Sequence, residues 1–480
     1  MSREDERSES SERASGSERS ERHASRGTEA DGGTETADAT ESDRPTDYGT
    51  GLSWPRQYAA EHVPHLVVVA LLAVYPFVHA FLLSSPVAAE ATMFLPDVDT
   101  MTAVLYFGLF AMSFDFVSGY TGYLSFGHAV FYGTGAYFVV LAANGKVPLV
   151  PYDAPFLLLV VLGGVLAVVL SLLIGVVSFR LSGVYFAMIT LGFSQVLYVF
   201  VRDWDYVGSS PRDGPAVVGP PDAVAPSFNV GIPGVDALNL AIGGLAGDSI
   251  EGLFGVVNLS STEVTYFMAG LVVLVCYFAM QRLVHSPFGR VMVAIRENEE
   301  RAEAVGYDPF RYKLAAFAVS AFFAAVAGGL FAGVRRSVSP DNSLFFLVTG
   351  DALLASIIGG FGTLAGPLYG RLFDESVREF LSKEGAGGGL LPYLRNTLPE
   401  GVLQTETIGG LTVQEGIGAF LNGHAALYIG ILFVLFVLYV PNGILGTVRD
   451  RLGATTVAKW AGARLTSGGD GGSVRASSED

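Results

Sequence analysis

The pattern that dominates this chain is a succession of long apolar runs separated by shorter polar stretches. Ten runs stand out: Val63–Leu83, Met101–Ser118, His128–Ala143, Phe156–Phe179, Val184–Val201, Val264–Leu283, Tyr312–Val334, Phe345–Gly359, Ala365–Leu381 and Ala425–Val440. A straight helix needs about 20 apolar residues to cross a bilayer, and several runs fall near or below that length. The short ones are expected to be tilted, broken or re-entrant, giving an all-α polytopic membrane protein of roughly eight to ten transmembrane helices. One stretch interrupts the pattern. In Ser286–Tyr307, SPFGRVMVAIRENEERAEAVGY, the residues Val291, Ala294, Ile295, Ala302 and Val305 recur at roughly helical spacing among Arg290, Arg296, Arg301 and several glutamates. Pro287 and Gly289 end any helix arriving from the preceding run, and Gly306 followed by Pro309 ends the new one. A short two-faced helix held between membrane spans needs something against which to pack its apolar face.

Composition supports the membrane reading. Half of the 480 residues are hydrophobic and 16% are charged, where a soluble domain carries about a quarter charged; the mean hydropathy is +0.45. The formal net charge of −17 is unusual beside that hydrophobicity. Lysine occurs only at Lys146, Lys313, Lys383 and Lys459. An acidic, lysine-poor surface points to a high-salt milieu and says nothing about substrate. The single cysteine, Cys276, lies in an apolar run, so neither a disulfide framework nor a thiolate metal site is expected.

The polar segments divide the chain. Residues 1–62, rich in Ser, Glu and Arg, are expected to form a disordered acidic tail. Residues 63–448 form the transmembrane domain, with inserts at 202–263 and 382–424, a charged loop at 284–311 and a C-terminal tail at 449–480. The 202–263 insert sets Arg202 and Arg212 against eight carboxylates, whereas Arg180, Arg290, Arg296, Arg301, Arg449, Arg451 and Lys459 fall on the opposite side. Basic residues favour the cytoplasmic side, so both termini and the 284–311 loop are expected in the cytoplasm and both inserts outside. Within the 202–263 insert, Val235–Leu245 has weak helical periodicity.

Three stretches can carry chemistry. GYTGYLSFGHAVFYGTGAY, Gly119 to Tyr137, sets Gly119, Gly122 and Gly127 among Thr121, Ser125 and His128. Glycine-rich backbone of this kind lines substrate paths in transporters; small residues also allow close helix packing, and the two readings are compatible. In FAMITLGFSQ, Thr190 either faces a path or makes an interhelical hydrogen bond. Asp351, and Asp115 near a segment end, are ionisable residues within spans and therefore functional candidates. Arg371 is spaced for helical pairing with Asp374 and Glu375. There is no G-x-x-x-x-G-K-[ST] phosphate loop, no H-E-x-x-H metal motif and no basic nucleic-acid patch. Ser125 and His128 lack the nucleophile elbow that a serine hydrolase would need.

Four of these stretches resemble one family. GYTGYLSFGHAVFYGTGAY, SGVYFAMITLGFSQV, the segment from SPFGRVMVAIRENEERAEAVGY through LFA, and IIGGFGTLAGPLYG with YVPNGILG are similar, in order, to the permease subunit of branched-chain amino acid ABC transporters. The resemblance implies a membrane-embedded importer subunit that binds no cofactor itself. It would work with a second homologous permease subunit, two ABC ATPase subunits holding ATP and Mg²⁺, and an extracytoplasmic substrate-binding protein. Gly289, Arg290, Ala294, Ile295, Arg296, Glu297, Asn298, Ala302 and Gly306 would then belong to a coupling helix, its apolar face docked in an ATPase groove. Gly119, Thr121, Gly122, Ser125, Gly127, His128, Thr190 and Asp351 would line the translocation pathway. Two alternatives remain open: a urea or short-chain amide permease of the same kind, and an ion-coupled secondary transporter using Asp115 or Asp351. The inserts and Asp115, where the family more often has a neutral amide, depart from the family pattern.

Overall fold

A computed structural model describes residues 70, 72–82, 95–150, 154–181, 183–208, 210–217, 227–228, 238–239, 250–253, 257–382, 399, 405, 412–413, 425–440 and 443–447. The chain divides into two units, Met1–Leu66 and Val67–Asp480. The expected acidic tail over 1–62, nearly all of the 382–424 insert and the 449–480 tail lie outside the described residues.

The apolar runs become helices: α1 (Leu72–Leu82), α2 (Val98–Thr121), α3 (Ala129–Ala143), α4 (Phe156–Ser178), α5 (Val184–Arg202), α6 (Ser261–Val284), α9 (Pro309–Arg335), α11 (Phe346–Gly359), α12 (Gly366–Ser382) and α13 (Ala425–Tyr439). Between α6 and α9 lie α7 (Pro287–Glu297) and α8 (Glu299–Ala304), and α10 (Pro340–Ser343) precedes α11. Among the described residues, seven helical stretches are long and apolar enough to cross a membrane: Val98–Thr121, Phe156–Ser178, Val184–Arg202, Ser261–Val284, Pro309–Arg335, Pro340–Gly359 and Gly430–Thr447. Leu72–Leu82 and Ala129–Ala143 are apolar but shorter. This is an all-α polytopic membrane protein. The Ala365–Leu381 run differs from its reading as apolar, because α12 carries Arg371, Asp374, Glu375, Arg378 and Glu379 along its length. Arg371 pairs with Asp374 and Glu375, Arg378 with Asp374, and Glu379 accepts from the Asp97 N–H, so these charges are satisfied against the bundle.

Polar residues set the helix ends. Ser260 and Glu263 form a reciprocal capping box at the start of α6. Ser286 caps α7 ahead of Pro287, and Asp308 caps α9 ahead of Pro309, each proline sitting where its missing N–H costs nothing. The stretch expected to form one coupling helix is broken at Asn298, whose extended backbone ends α7 while its side chain accepts from the Arg301 N–H to start α8.

α2 is buried almost all round and α9 packs along α2, α3 and α4, the pattern of central helices. α4 is two-sided: Gly164, Ala167, Ser171 and Ile174 face this core while Leu158, Val165, Leu173 and Val177 are exposed to the surroundings, which for a spanning helix means lipid. α12 packs on α11 and α2, and α6 on α2. At the end of the bundle away from α7 and α8, the start of the 202–263 insert is tied down. Lys146 Nζ donates to the Tyr206 and Val207 carbonyls at 3.0 Å each, and Asn144 donates to the Ala216 carbonyl at 2.9 Å. Ala216 also bridges to Ser337 just after α9. Farther along are two short antiparallel pairs, Ser227–Phe228 with Leu238–Asn239 and Ile250–Leu253 with Val257–Leu259. Of Val235–Leu245, which has weak helical periodicity, only Leu238–Asn239 lies within the described residues, and these two pair as a strand.

Close approach of α3 and α9 depends on glycine. A Cβ on Gly135 would collide with the Ala325 carbonyl, and one on Gly328 with the Tyr132 carbonyl. Gly135→Ala is therefore expected to lower the thermal unfolding temperature of the purified protein by several degrees, by overpacking of about 1–3 kcal/mol. Gly192→Ala, where a Cβ meets nothing within 4 Å, should leave it unchanged; equal midpoints for the two variants would contradict this packing.

Candidate functional site

The polar connections converge where α7 and α8 meet the ends of α2, α5 and α9. α2 stops at Gly122, whose φ of 78° lets its N–H reach back to the Ser118 carbonyl. Beside it, Arg296 on α7 donates to the Gly119 carbonyl at 2.7 Å and pairs with Glu297 at 3.0 Å. Asp115, one turn back on α2 and fully buried, accepts from the Gly362 N–H at 2.9 Å. Gly362 lies in the turn between α11 and α12, so the ends of α2, α7 and the α11–α12 turn are joined by two hydrogen bonds.

A second tether lies across α8. Lys313, only 4% exposed on the first turns of α9, donates to Glu299 at 2.6 Å and to the Tyr123 hydroxyl at 3.0 Å. Tyr123 in turn donates to the other Glu299 oxygen at 2.9 Å, and the ammonium sits 4.4 Å from the Tyr123 ring centre. Burial raises the Tyr123 phenol above its ordinary value, with Lys313 opposing, so it serves here as a hydroxyl donor. The apolar side of α7 and α8 is also spoken for: Val291, Ile295 and Ala302 are buried together against Tyr312. Ile295 and Ala302, expected to face a partner groove, are thus committed within the subunit. Arg290 and Ala294 stay exposed, as do Glu297, Asn298 and Gly306. So do the apolar Val305 at 73% and Tyr307 at 42%. Gly289 packs so closely on the end of α6 that a Cβ would meet the Val284 carbonyl.

Between these tethers lies a recess of about 770 Å³, lined by Thr121, Gly122 and Tyr123 from the end of α2, Val184 and Ala187 from α5, and residues 295–300. It brings Thr121 and Gly122 together with Ile295, Arg296, Glu297 and Asn298. The other residues named for the pathway sit elsewhere. Ser125 and His128 are fully buried; His128 Nε2 lies 3.0 Å from Ser320 Oγ, among the rings of Phe110, Phe114, Phe131 and Phe317. Gly127 abuts the Thr190 backbone, and the Thr190 hydroxyl donates to the Ala187 carbonyl within its own helix. Asp351 is on α11, its side chain 45% exposed and 3.8 Å from Arg378.

Residues 98–380 match the protein-family model described as branched-chain amino acid transport system / permease component. The chain belongs to this family. It is 28% identical to the high-affinity branched-chain amino acid transport system permease protein LivM of Escherichia coli, over 67% of this chain and 74% of that one. It is equally 28% identical to the LivM protein of Salmonella typhimurium, over 72% of this chain and 80% of that one. A probable permease protein of the same system, LivH of Methanocaldococcus jannaschii, is 28% identical over 30% of this chain and 44% of its own. No solved structure matches the chain.

The family match spans α2 to α12 and so contains both tethers and the recess. Lys313, Glu299, Tyr123 and Gly362 carry the geometry, yet none of them was among the residues expected for the coupling helix surface or the pathway. A usable signal was there for Lys313, one of only four lysines and one that opens an apolar helix. Lys313→Met should remove the ammonium that holds Glu299 and Tyr123 to α9 and loosen the α8 attachment by about 1 kcal/mol, since the 41% exposed Glu299 carboxylate regains water, read as faster limited proteolysis at Arg301. Lys313→Met with Glu299→Gln should recover part of that loss; strict additivity of the two single effects would show that the pair is not coupled.

Proposed function

We propose that this protein is the transmembrane permease subunit of an ABC importer that carries branched-chain or related amino acids across the cell membrane. The work is done by ATP hydrolysis in two partner ATPases, a second permease subunit completes the pathway, and an extracytoplasmic protein delivers the substrate. The family match and the LivM likeness support this reading, and one structural observation carries it furthest. α7 and α8 form a charged, membrane-flanking unit fastened to α2 and α9, with exposed apolar residues on its free side. Such a unit transmits a push from a bound ATPase into the helices that bound the recess, the rigid-body motion that alternating access requires.

The docking surface is then the outer side of the loop, Ala294, Val305 and Tyr307 with Arg290 and Glu297 around them, because Ile295 and Ala302 are already covered. The Arg-rich loop and the acidic insert support a cytoplasmic position for α7 and α8 and, with them, for both termini. The acidic, lysine-poor composition fits a salt-rich milieu.

Ala294→Glu combined with Val305→Glu is expected to abolish co-purification of the ATPases while the permease still extracts and unfolds like the unmodified protein. Continued ATPase binding and uptake would remove the docking role. In proteoliposomes holding the complete complex, ATP-dependent accumulation of leucine but neither urea nor acetamide is the expected outcome. Accumulation of urea or acetamide in place of leucine would transfer the protein to amide uptake.

A further inference from the structure

The end of α2 carries two opposite charges that this conformation holds apart. Asp115 is fully buried and uses one oxygen only: Oδ1 accepts from the Gly362 N–H at 2.9 Å, whereas Oδ2 has no hydrogen-bond partner among the described residues. A proton on Oδ2 would not repair this, since the resulting O–H would lack an acceptor as surely as the bare oxygen lacks a donor. Arg296 is the charged group close enough to act on Asp115, yet its guanidinium is engaged elsewhere, with the Gly119 carbonyl at 2.7 Å and Glu297 at 3.0 Å. Two glycines touch both groups. Gly119 supplies the carbonyl that Arg296 holds, and a Cβ on it would lie 2.7 Å from Asp115 Oδ1. Gly362 supplies the N–H that Asp115 holds, and a Cβ on it would meet only Arg296 Nη1 at 3.4 Å and the Gly119 carbonyl at 3.7 Å. The space of one missing side chain therefore lies open beside the guanidinium.

A buried polar atom without a partner is costly and calls for an explanation; here the explanation is a partner that arrives in another conformation. We propose that Asp115 is a positioning residue for coupling, and that in the ATP-bound arrangement Arg296 leaves the Gly119 carbonyl and pairs with it. This rests on the reading of α7 and α8 as the unit that the ATPases push. Asp115 precedes Gly119 by four residues on α2, so its carboxylate lies about one turn, roughly 6 Å, deeper in the bundle. An inward push on α7 carries the guanidinium in that direction. In this structure the Arg296 side chain is 38% exposed and keeps its water. An ATPase docked over α7 removes that water, and a carboxylate then becomes a stronger acceptor for the guanidinium than a carbonyl. Both holding points belong to α2, so α7 stays attached to α2 throughout the exchange. What changes is the hold on Gly362. A carboxylate drawn to Arg296 loosens the α11–α12 turn, which is otherwise backed by Gly443, where a Cβ would meet Gly360. The exchange converts a push on α7 into release of that turn from the central helix.

The test compares Asp115→Asn, Arg296→Gln and the double variant in the complete complex in proteoliposomes. Asparagine keeps the oxygen that the Gly362 N–H needs and loses the charge that Arg296 would seek. The purified Asp115→Asn permease should therefore unfold at the same temperature as the unmodified protein, and the ATPases should still co-purify with it. ATP-driven leucine uptake should nevertheless fall at least about tenfold, the loss of one hydrogen bond between charged groups. The double variant should be no worse than Arg296→Gln alone, whereas independent roles would multiply the two losses. Arg296→Lys, which keeps the charge, should retain more uptake than Arg296→Gln. Full uptake by Asp115→Asn, or multiplied losses in the double variant, would overturn the exchange and leave the coupling reading standing. If Asp115→Asn does not assemble, the two Arg296 variants decide, and equal uptake by them would overturn the exchange. Failure of the ATPases to bind the unmodified permease would overturn the coupling reading and the exchange with it.

Discussion

The buried ammonium of Lys313 is the constraint on which the functional end of this protein depends. A lysine 4% exposed at the start of an otherwise apolar helix must be neutralised by the fold, since an uncompensated buried charge costs about 3–5 kcal/mol. Glu299 supplies the opposite charge and Tyr123 the third ligand. Because Glu299 sits on α8 and Tyr123 follows α2, satisfying one charge joins three separate segments. The Arg296 bond to the Gly119 carbonyl and the Asp115 bond to Gly362 extend the join to α7 and to the α11–α12 turn. The loop that protrudes from the membrane domain is by this means continuous with its central helix.

Small residues make that continuity stiff. α2, α3 and α9 approach within glycine and alanine distance, and the polar side chains between them, Ser113, His128 and Ser320, bond to each other or to backbone. Contacts this close pass a displacement of α9 on to α2 and α3, in the manner of close-packed interiors. The glycine-rich stretch after Gly119 is divided between two settings. Its first residues, Thr121 and Gly122, border a recess, and the later Gly127 and Gly135 are packing contacts.

The membrane character, nine of the ten apolar runs and the amphipathic loop were legible in the pattern of apolar positions, because burial in lipid or core leaves a direct compositional trace. What covers the loop's apolar side was not. Tyr312 reaches Val291, Ile295 and Ala302 only because the chain doubles back at Asn298 and Gly306, and periodicity carries no information on tertiary return. α12 was read as apolar from its leucines and phenylalanines; the spacing of Arg371 for Asp374 and Glu375 was legible, whereas the second cation on Asp374, Arg378, was not singled out until the side chains were placed. Asp351 was recognisable as a charge within a span; its Arg378 partner, 27 positions later on the neighbouring helix, was not.

The central claim is that α7 and α8 move with α2 and α9 as one body. Spin labels at Glu300 on α8 and Tyr185 at the start of α5, both exposed and on opposite sides of the recess, report on this directly in the assembled complex. The account predicts that trapping the ATPases with ATP shifts the distance between the labels, and that Lys313→Met abolishes the shift although the ATPases still bind. An undiminished shift in the Lys313→Met complex, with uptake intact, would contradict it.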